Sequence, residues 1–173
     1  MLRDSDLLLR PYRPGDRDAL IRLADNPEVS RGLADRFPCP YRPEDADAWI
    51  ELTSTEERPL NFAVFWRDSF IGGAGLIPLT DTHHGTAEFG YWLGQPYWGR
   101  GLATRAAALL IAYAWAELPF IRLQAEVFAW NLASMRVLEK NGFEREGVLR
   151  RHITKRGQVF DAVIYARLRD GDS

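Results

Sequence analysis

Residues 86–104 read TAEFGYWLGQPYWGRGLAT. The first eight form a strand-like run, and an alanine-rich segment of high helical propensity follows Gly101. Between the two, Gly94, Gly99 and Gly101 stand among Tyr97, Trp98 and Arg100. Glycine at 99 and 101 permits φ > 0 and lets another group approach the main chain, because no Cβ stands in the way. The first turn of a helix leaves about four N–H groups without a helical acceptor and carries a partial positive charge. A glycine turn that opens a helix is therefore a seat for an anion such as a phosphate.

Three readings compete for this turn. Gly99-Arg100-Gly101-Leu102-Ala103-Thr104 is one residue away from the dinucleotide fingerprint G-x-G-x-x-G/A, with Glu126 in the next strand where a ribose-binding acid would sit. Against it, GQPYW separates Leu93 from Gly99, and Thr104 occupies the position where a small residue allows close helix packing. The P-loop pattern fails because no Gly-Lys pair opens the helix. The plainest reading is a tight strand-to-helix turn with no ligand. A second element weighs against it: Asn131 and Ser134, spaced N-x-x-S, open the next helix after the next strand. If those two strands are parallel neighbours, both helix N-termini fall at the edge where open α/β sheets bind ligands.

Composition narrows the class. A chain of 173 residues with 46% apolar and 27% charged residues matches one globular domain, taken as 1–173. Its net charge of −2 gives no general attraction to nucleic acid. A local basic patch is still available from Arg100, Arg105, Arg136 and Lys140. The basic stretch LRRHITKRG reads as a solvated hairpin. No apolar run approaches the ~20 residues of a membrane span, and the N-terminus lacks the basic-then-apolar order of a signal peptide, so a cytoplasmic protein is expected. Cys39 is the sole cysteine, which excludes an intrachain disulfide and a multi-thiolate zinc site. His83 and His84 are adjacent and point apart, so they read as a surface turn and no metal is expected.

Period and punctuation place the elements. LLLRPYRP reads as a first strand. A helix follows with Asp16 at its N-cap, Leu20, Leu23 and Ala24 on one face, and a stop at Asn26-Pro27. RGLADRFPCPYRP is irregular. Pro43 opens a second helix with Trp49 and Leu52 on its inner face. Residues 61–93 form an antiparallel meander. The helix after Gly101 is closed by Pro119, and the strand IRLQAEVFAW then completes a strand, helix, strand passage that implies a parallel pair. A last helix ends at Gly142, with Phe143 packing back on it, and a hairpin around KRG closes the chain.

EFGYWLGQPYWGRGLATRAA, LQAEVFAWNLASMRVLEKNGFEREGVLR and the final hairpin resemble the GNAT N-acetyltransferases, most closely their RimJ/RimL-like group. The similarity runs from LLLRPYRPGDRDAL onward. It implies an α/β (α+β) fold: a mostly antiparallel mixed sheet of about six or seven strands, flanked by about four helices, with central parallel strands splayed to hold acetyl-CoA. It implies that Tyr97, Trp98, Gly99, Arg100, Gly101, Leu102 and Ala103 cradle the pyrophosphate of acetyl-CoA, mainly through backbone N–H groups. Thr104 adds a hydroxyl there, and Arg136 a positive charge. The superfamily pattern Q/R-x-x-G-x-G/A has Pro96 at its first position here, with Gln95 one residue early. Arg105 stands where this group usually has Glu, and is expected to bring positive charge near the phosphates. Relatives are often dimers, so the resemblance also implies a homodimer.

Moving an acetyl group from a thioester to an amine requires a neutral amine, a polarised carbonyl and a protonated leaving thiolate. An α-amine with pKa about 8 is roughly a tenth neutral at pH 7, whereas a lysine-like amine near 10.4 needs on the order of 4.5 kcal/mol to deprotonate. Glu88 shares a strand face with Gly90 and Trp92, and the resemblance makes it the first candidate base; Glu126 one strand over, or water alone, are the alternatives. The resemblance assigns carbonyl polarisation to N–H groups around Trp92 and Leu93, thiolate protonation to Ser134, and a pantetheine hydrogen bond to Asn131, which also reads as an N-cap. Phe37, Tyr41 and Tyr91 are expected to line the acceptor pocket. The acceptor is a primary amine, either a protein N-terminus or a small molecule. An acyl-CoA-binding sensor without turnover, or a partner-binding domain on the same fold, is the alternative function.

Overall fold

The computed structural model describes residues 1–169 and Gly171. Leu2–Asp4 and Leu7–Arg10 form β1 and β2, an antiparallel pair with Leu2 opposite Leu9. The expected single first strand is thus the second arm of a hairpin, which turns at Ser5 with φ 49°. Helix α1 (Arg17–Ala24) buries Leu20, Leu23 and Ala24 as its period requires. Asp16 sits at its N-cap position but does not cap it. Its carboxylate instead accepts two bonds from Arg10, at 2.6 and 2.8 Å, and one from the Arg13 N–H at 2.8 Å.

Asn26 and Pro27 end α1, and they also start a short α2 (Pro27–Arg31) that the sequence reading leaves out. Asn26 accepts from the Glu28 N–H at 2.8 Å, and proline suits the first helical position because it has no N–H to satisfy. No regular element occupies Gly32–Arg42. Helix α3 (Pro43–Ser54) turns Ala46, Ile50 and Thr53 inward. Trp49 packs on the core beside them, but Leu52 is 62% exposed, so its expected place on the inner face is corrected.

The meander is β3 (Asn61–Trp66), β4 (Ser69–Pro78) and β5 (Thr86–Leu93). Helix α4 (Leu102–Glu117), β6 (Arg122–Phe128), α5 (Leu132–Lys140), β7 (Glu144–Lys155) and β8 (Gln158–Leu168) follow. Helix α5 ends with Gly142 at φ 75°, which lets the Gly142 N–H reach Glu139 O at 3.0 Å and the Phe143 N–H reach Leu138 O at 3.1 Å. Phe143 then packs on Phe89, ring centroids 5.3 Å apart.

Hydrogen-bonded neighbours give one mixed sheet in the order β1-β2-β3-β4-β5-β6-β8-β7, with β5 and β6 parallel. Among the described residues this makes eight strands and five α-helices, one or two strands and one helix more than expected. The chain divides into two compact units: Met1–Gly75 with Tyr91–Leu110, and Leu76–Gly90 with the chain from Ile111 onward. The first has a core of Tyr12, Leu20, Leu23, Tyr41, Ile50 and Phe70, with Trp49, Phe37 and Trp92 packed against it. In the second, β6 pairs with β8 from Arg122↔Leu168 to Phe128↔Ala162, and β7 covers the other side of β8.

Candidate active site

The first unit carries the glycine turn. A Cβ on Gly72 of β4 would collide with the Trp92 carbonyl oxygen and come within 2.8 Å of Leu93 Cα, so glycine there lets β4 close onto the end of β5. The Gly94 N–H donates to Ile71 O at 2.8 Å, and the Tyr97 N–H to Gly94 O at 3.0 Å. Trp98 folds its indole back so that Nε1 donates to Leu93 O at 2.7 Å. Gln95 accepts from Asn26 Nδ2 at 2.9 Å, which commits this glutamine to the start of α2.

Gly99 and Gly101 take φ 72° and 73°, and a Cβ built on either meets nothing within 4 Å. Their requirement is conformational, and the backbone on that side faces open space. The helical ladder of α4 begins with the Arg105 N–H to Gly101 O at 3.2 Å. The Leu102 and Ala103 N–H groups therefore come ahead of the ladder, at the end of a helix that attracts negative charge. Leu102 is 2% exposed and anchors the turn, whereas Arg100 is exposed, 5.6 Å from the Trp66 ring. Loop and helix start fit a pyrophosphate.

Arg105 does not add the expected charge to that seat. Its guanidinium donates to Asp4 Oδ2 at 2.7 Å, Asp4 O at 2.9 Å and Asp6 Oδ1 at 2.9 Å. Two carboxylates offset it. Asp6 also accepts from Trp66 Nε1 at 2.7 Å. The hydrogen bond from Arg105 chiefly, with smaller ones from Trp66 and Arg67, holds the Asp6 carboxyl below its ordinary range.

Trp92 stands among aromatic rings, 5.3 Å from Phe37 and 6.1 Å from Phe70. Phe37 lies 5.2 Å from Tyr41, whose hydroxyl burial pushes up to about 12. Phe37, Tyr41 and Trp92 are thus brought together, while strand alternation turns Tyr91 to the other face of β5. Tyr12, 5% exposed, sits between Trp49 and Gly73, and burial drives its hydroxyl well above the ordinary tyrosine value.

The second unit carries the remaining candidates. Parallel register joins Thr86, Ala87 and Glu88 to Arg122, Leu123 and Gln124. Glu88 is half-buried, and Glu126 lies two residues beyond its partner Gln124. Asn131 caps α5 as expected, its Oδ1 accepting from the Ser134 N–H at 3.1 Å. Ser134 is half-buried in the first turn of that helix, and Arg136 is exposed. Outside the expected set, His152 Nε2 of β7 lies 3.4 Å from Glu126 Oε2. His83 and His84 bond locally, to Thr82 Oγ1 at 3.3 Å and Asp81 O at 3.0 Å. Among the described residues, no group of three or more His, Cys, Asp or Glu side chains could hold a metal ion, and no helix is long and apolar enough to cross a membrane.

Residues 6–144 match the family described as acetyltransferase (GNAT) domain. The chain is 30% identical over 166 residues to the uncharacterized N-acetyltransferase p20 of Bacillus licheniformis, covering 94% of this chain and 93% of that protein. Among solved structures, RimL, a ribosomal L7/L12 alpha-N-protein acetyltransferase in complex with coenzyme A, superposes with TM-score 0.85 at 21% identity over 98% of this chain and 97% of its own. Spermidine N-acetyltransferase from Vibrio cholerae, in complex with CoA and spermine, superposes with TM-score 0.81 at 22% identity over 95% and 96%. The chain belongs to the GNAT acetyltransferase family. It is an N-acetyltransferase.

Proposed function

We propose that the protein transfers an acetyl group directly from acetyl-CoA to a primary amine, a protein N-terminus or a small molecule, without an acetylated enzyme intermediate. The observation that carries this reading is the passage from β5 through Gly99 and Gly101 into α4: two left-handed glycines place the start of a 16-residue helix at the end of a strand. Backbone N–H groups of residues 99–104 take the pyrophosphate, with Thr104 contributing its hydroxyl. N–H groups near Trp92 and Leu93 polarise the thioester carbonyl, where preorganised donors act most strongly.

Ser134 gives its proton to the departing thiolate, and Asn131 takes the pantetheine arm while capping α5. Glu88 is the side chain first placed to lower the cost of the neutral amine. Phe37 and Trp92, partly buried against the core that holds Tyr41, offer aromatic faces to the acceptor. The acceptor classes of RimL and of the spermidine enzyme, an N-terminus and a polyamine, are the two to try first.

The test is free-thiol release from acetyl-CoA over a panel of N-terminal peptides, polyamines and simple amines, repeated with Ser134→Ala and Glu88→Gln. Acceptor-dependent release that each substitution slows supports the reading. Saturable acetyl-CoA binding with no release from any acceptor would show a sensor instead.

A further inference from the structure

We infer that His152, oriented by Glu126, takes the acceptor's proton in place of Glu88, the first candidate for that task, an assignment that rests on the acetyl-transfer reading above. Nothing in the sequence pattern singles out His152, because its place depends on an irregularity of β7. Leu149 pairs with Ala162 and Ile153 with Phe160, so Arg150, Arg151 and His152 stand opposite the single residue Asp161. Arg151 takes φ 53° and donates its N–H to Asp161 Oδ1 at 2.7 Å. A non-glycine residue in that conformation persists only where its surroundings hold it, and a bulge re-aims the side chains next to it. Here the bulge brings His152 across β8 to Glu126 on β6, 3.4 Å away.

The pair is open to a ligand: the His152 side chain is 50% exposed and that of Glu126 is 44% exposed. It also faces the right way. Glu88 pairs in register with Gln124, and alternation puts Glu126 on the same face of the sheet as both. Two carboxylates of the surrounding strands are already engaged. Asp161 holds the Arg151 N–H, Arg122 grips Glu146 through two bonds of 2.6 and 2.7 Å, and Arg150 and Arg151 directly precede His152 in sequence.

A carboxylate at Nε2 selects the tautomer with its hydrogen there, which leaves the Nδ1 lone pair to accept a proton. Imidazole is the side chain that ordinarily exchanges its proton in the neutral range, whereas a carboxylate is a far weaker base toward an ammonium. In the proposed sequence the acceptor ammonium gives one proton to His152 Nδ1, and His152 releases it to solvent. The neutral amine forms its C–N bond to the thioester carbon, the C–S bond breaks, and the sulfur takes a proton from Ser134. Ser134 regains it from the newly acylated nitrogen. An ammonium and acetyl-CoA thus yield an amide, free coenzyme A and one released proton.

The experiment is the pH profile of kcat and kcat/KM by thiol release, with spermidine and a serine-initiated tetrapeptide as probes, for wild type, His152→Asn and Glu126→Gln. At pH 7, His152→Asn is expected to lower kcat by about 10²-fold, the usual contribution of a positioned base, without raising KM for acetyl-CoA. The loss shrinks as pH rises toward the acceptor's own pKa, and free imidazole restores part of the activity of His152→Ala, the second variant should the first not fold. Glu126→Gln gives a smaller loss in the same direction. Wild-type turnover with an unaltered His152→Asn profile would overturn this role alone. A wild type that releases no thiol with any amine overturns the acetyl-transfer reading and this inference together.

Discussion

The indole Nε1 of Trp98 donates to the carbonyl oxygen of Leu93 at 2.7 Å, tying the glycine turn to the last residue of β5. The bond spans the stretch whose backbone is assigned two tasks, polarising the thioester and seating the pyrophosphate. Trp98 is 46% exposed, so its part in core packing is small. Trp98→Phe keeps the ring and removes the donor. A net hydrogen bond is worth about 0.5–1.5 kcal/mol, so KM for acetyl-CoA is expected to rise up to about tenfold while the melting temperature changes little. Steady-state kinetics beside a thermal melt check this.

Gly101→Ala tests the turn's conformation. No atom obstructs the new methyl group, so its cost is that of an L-residue at φ 73°, about 1–2 kcal/mol. Calorimetry should show Tm lowered by a few degrees, and titration weaker acetyl-CoA binding. The same substitution at Gly90, where the added Cβ also meets nothing and no positive φ is required, should leave acetyl-CoA binding intact.

Asp6 links β1 and β2 to α4 through Arg105. Because its folded-state pKa lies below the ordinary 3.8, its contribution to stability is full above that value and disappears as pH falls through the lower folded one. Wild type should therefore melt higher than Asp6→Asn at neutral pH, and the gap should close in strongly acidic buffer. Thermal melts across pH settle it; a gap that widens on acidification contradicts the sign.

Asn131 and Ser134 should separate stability from chemistry. Asn131→Ala removes an N-cap worth about 1 kcal/mol, lowering Tm by about 2–4 °C and weakening CoA binding. Ser134→Ala keeps the N–H that Asn131 accepts, so it should leave Tm in place while lowering kcat by about 10²-fold. Melts and kinetics on both variants make the comparison.

Much of this architecture is legible in the sequence where local chemistry and tertiary packing agree. Helix α4 combines alanine-rich propensity with Gly101 before it and Pro119 after it, and α5 carries its cap at Asn131 and its stop at Gly142. The misreadings arise where one residue serves two neighbours or where partners lie far apart in sequence. Pro27 stops α1 and starts α2, and Ser5 makes a left-handed turn without a glycine to announce it. Arg105 reads as a phosphate-side charge until Asp4 and Asp6, about a hundred positions upstream, are seen to hold it. Likewise His152 reads as one base in a solvated hairpin, because an alternating pattern cannot reveal that three residues of β7 face one of β8.

The central claim is direct transfer, and the most telling measurement mixes the protein with a modest excess of acetyl-CoA before adding acceptor, following free thiol and the intact protein mass. Direct transfer predicts no thiol and no mass change until the amine arrives, then one acetylated amine for each thiol released. Thiol released before the amine, together with an acetylated protein, would contradict it.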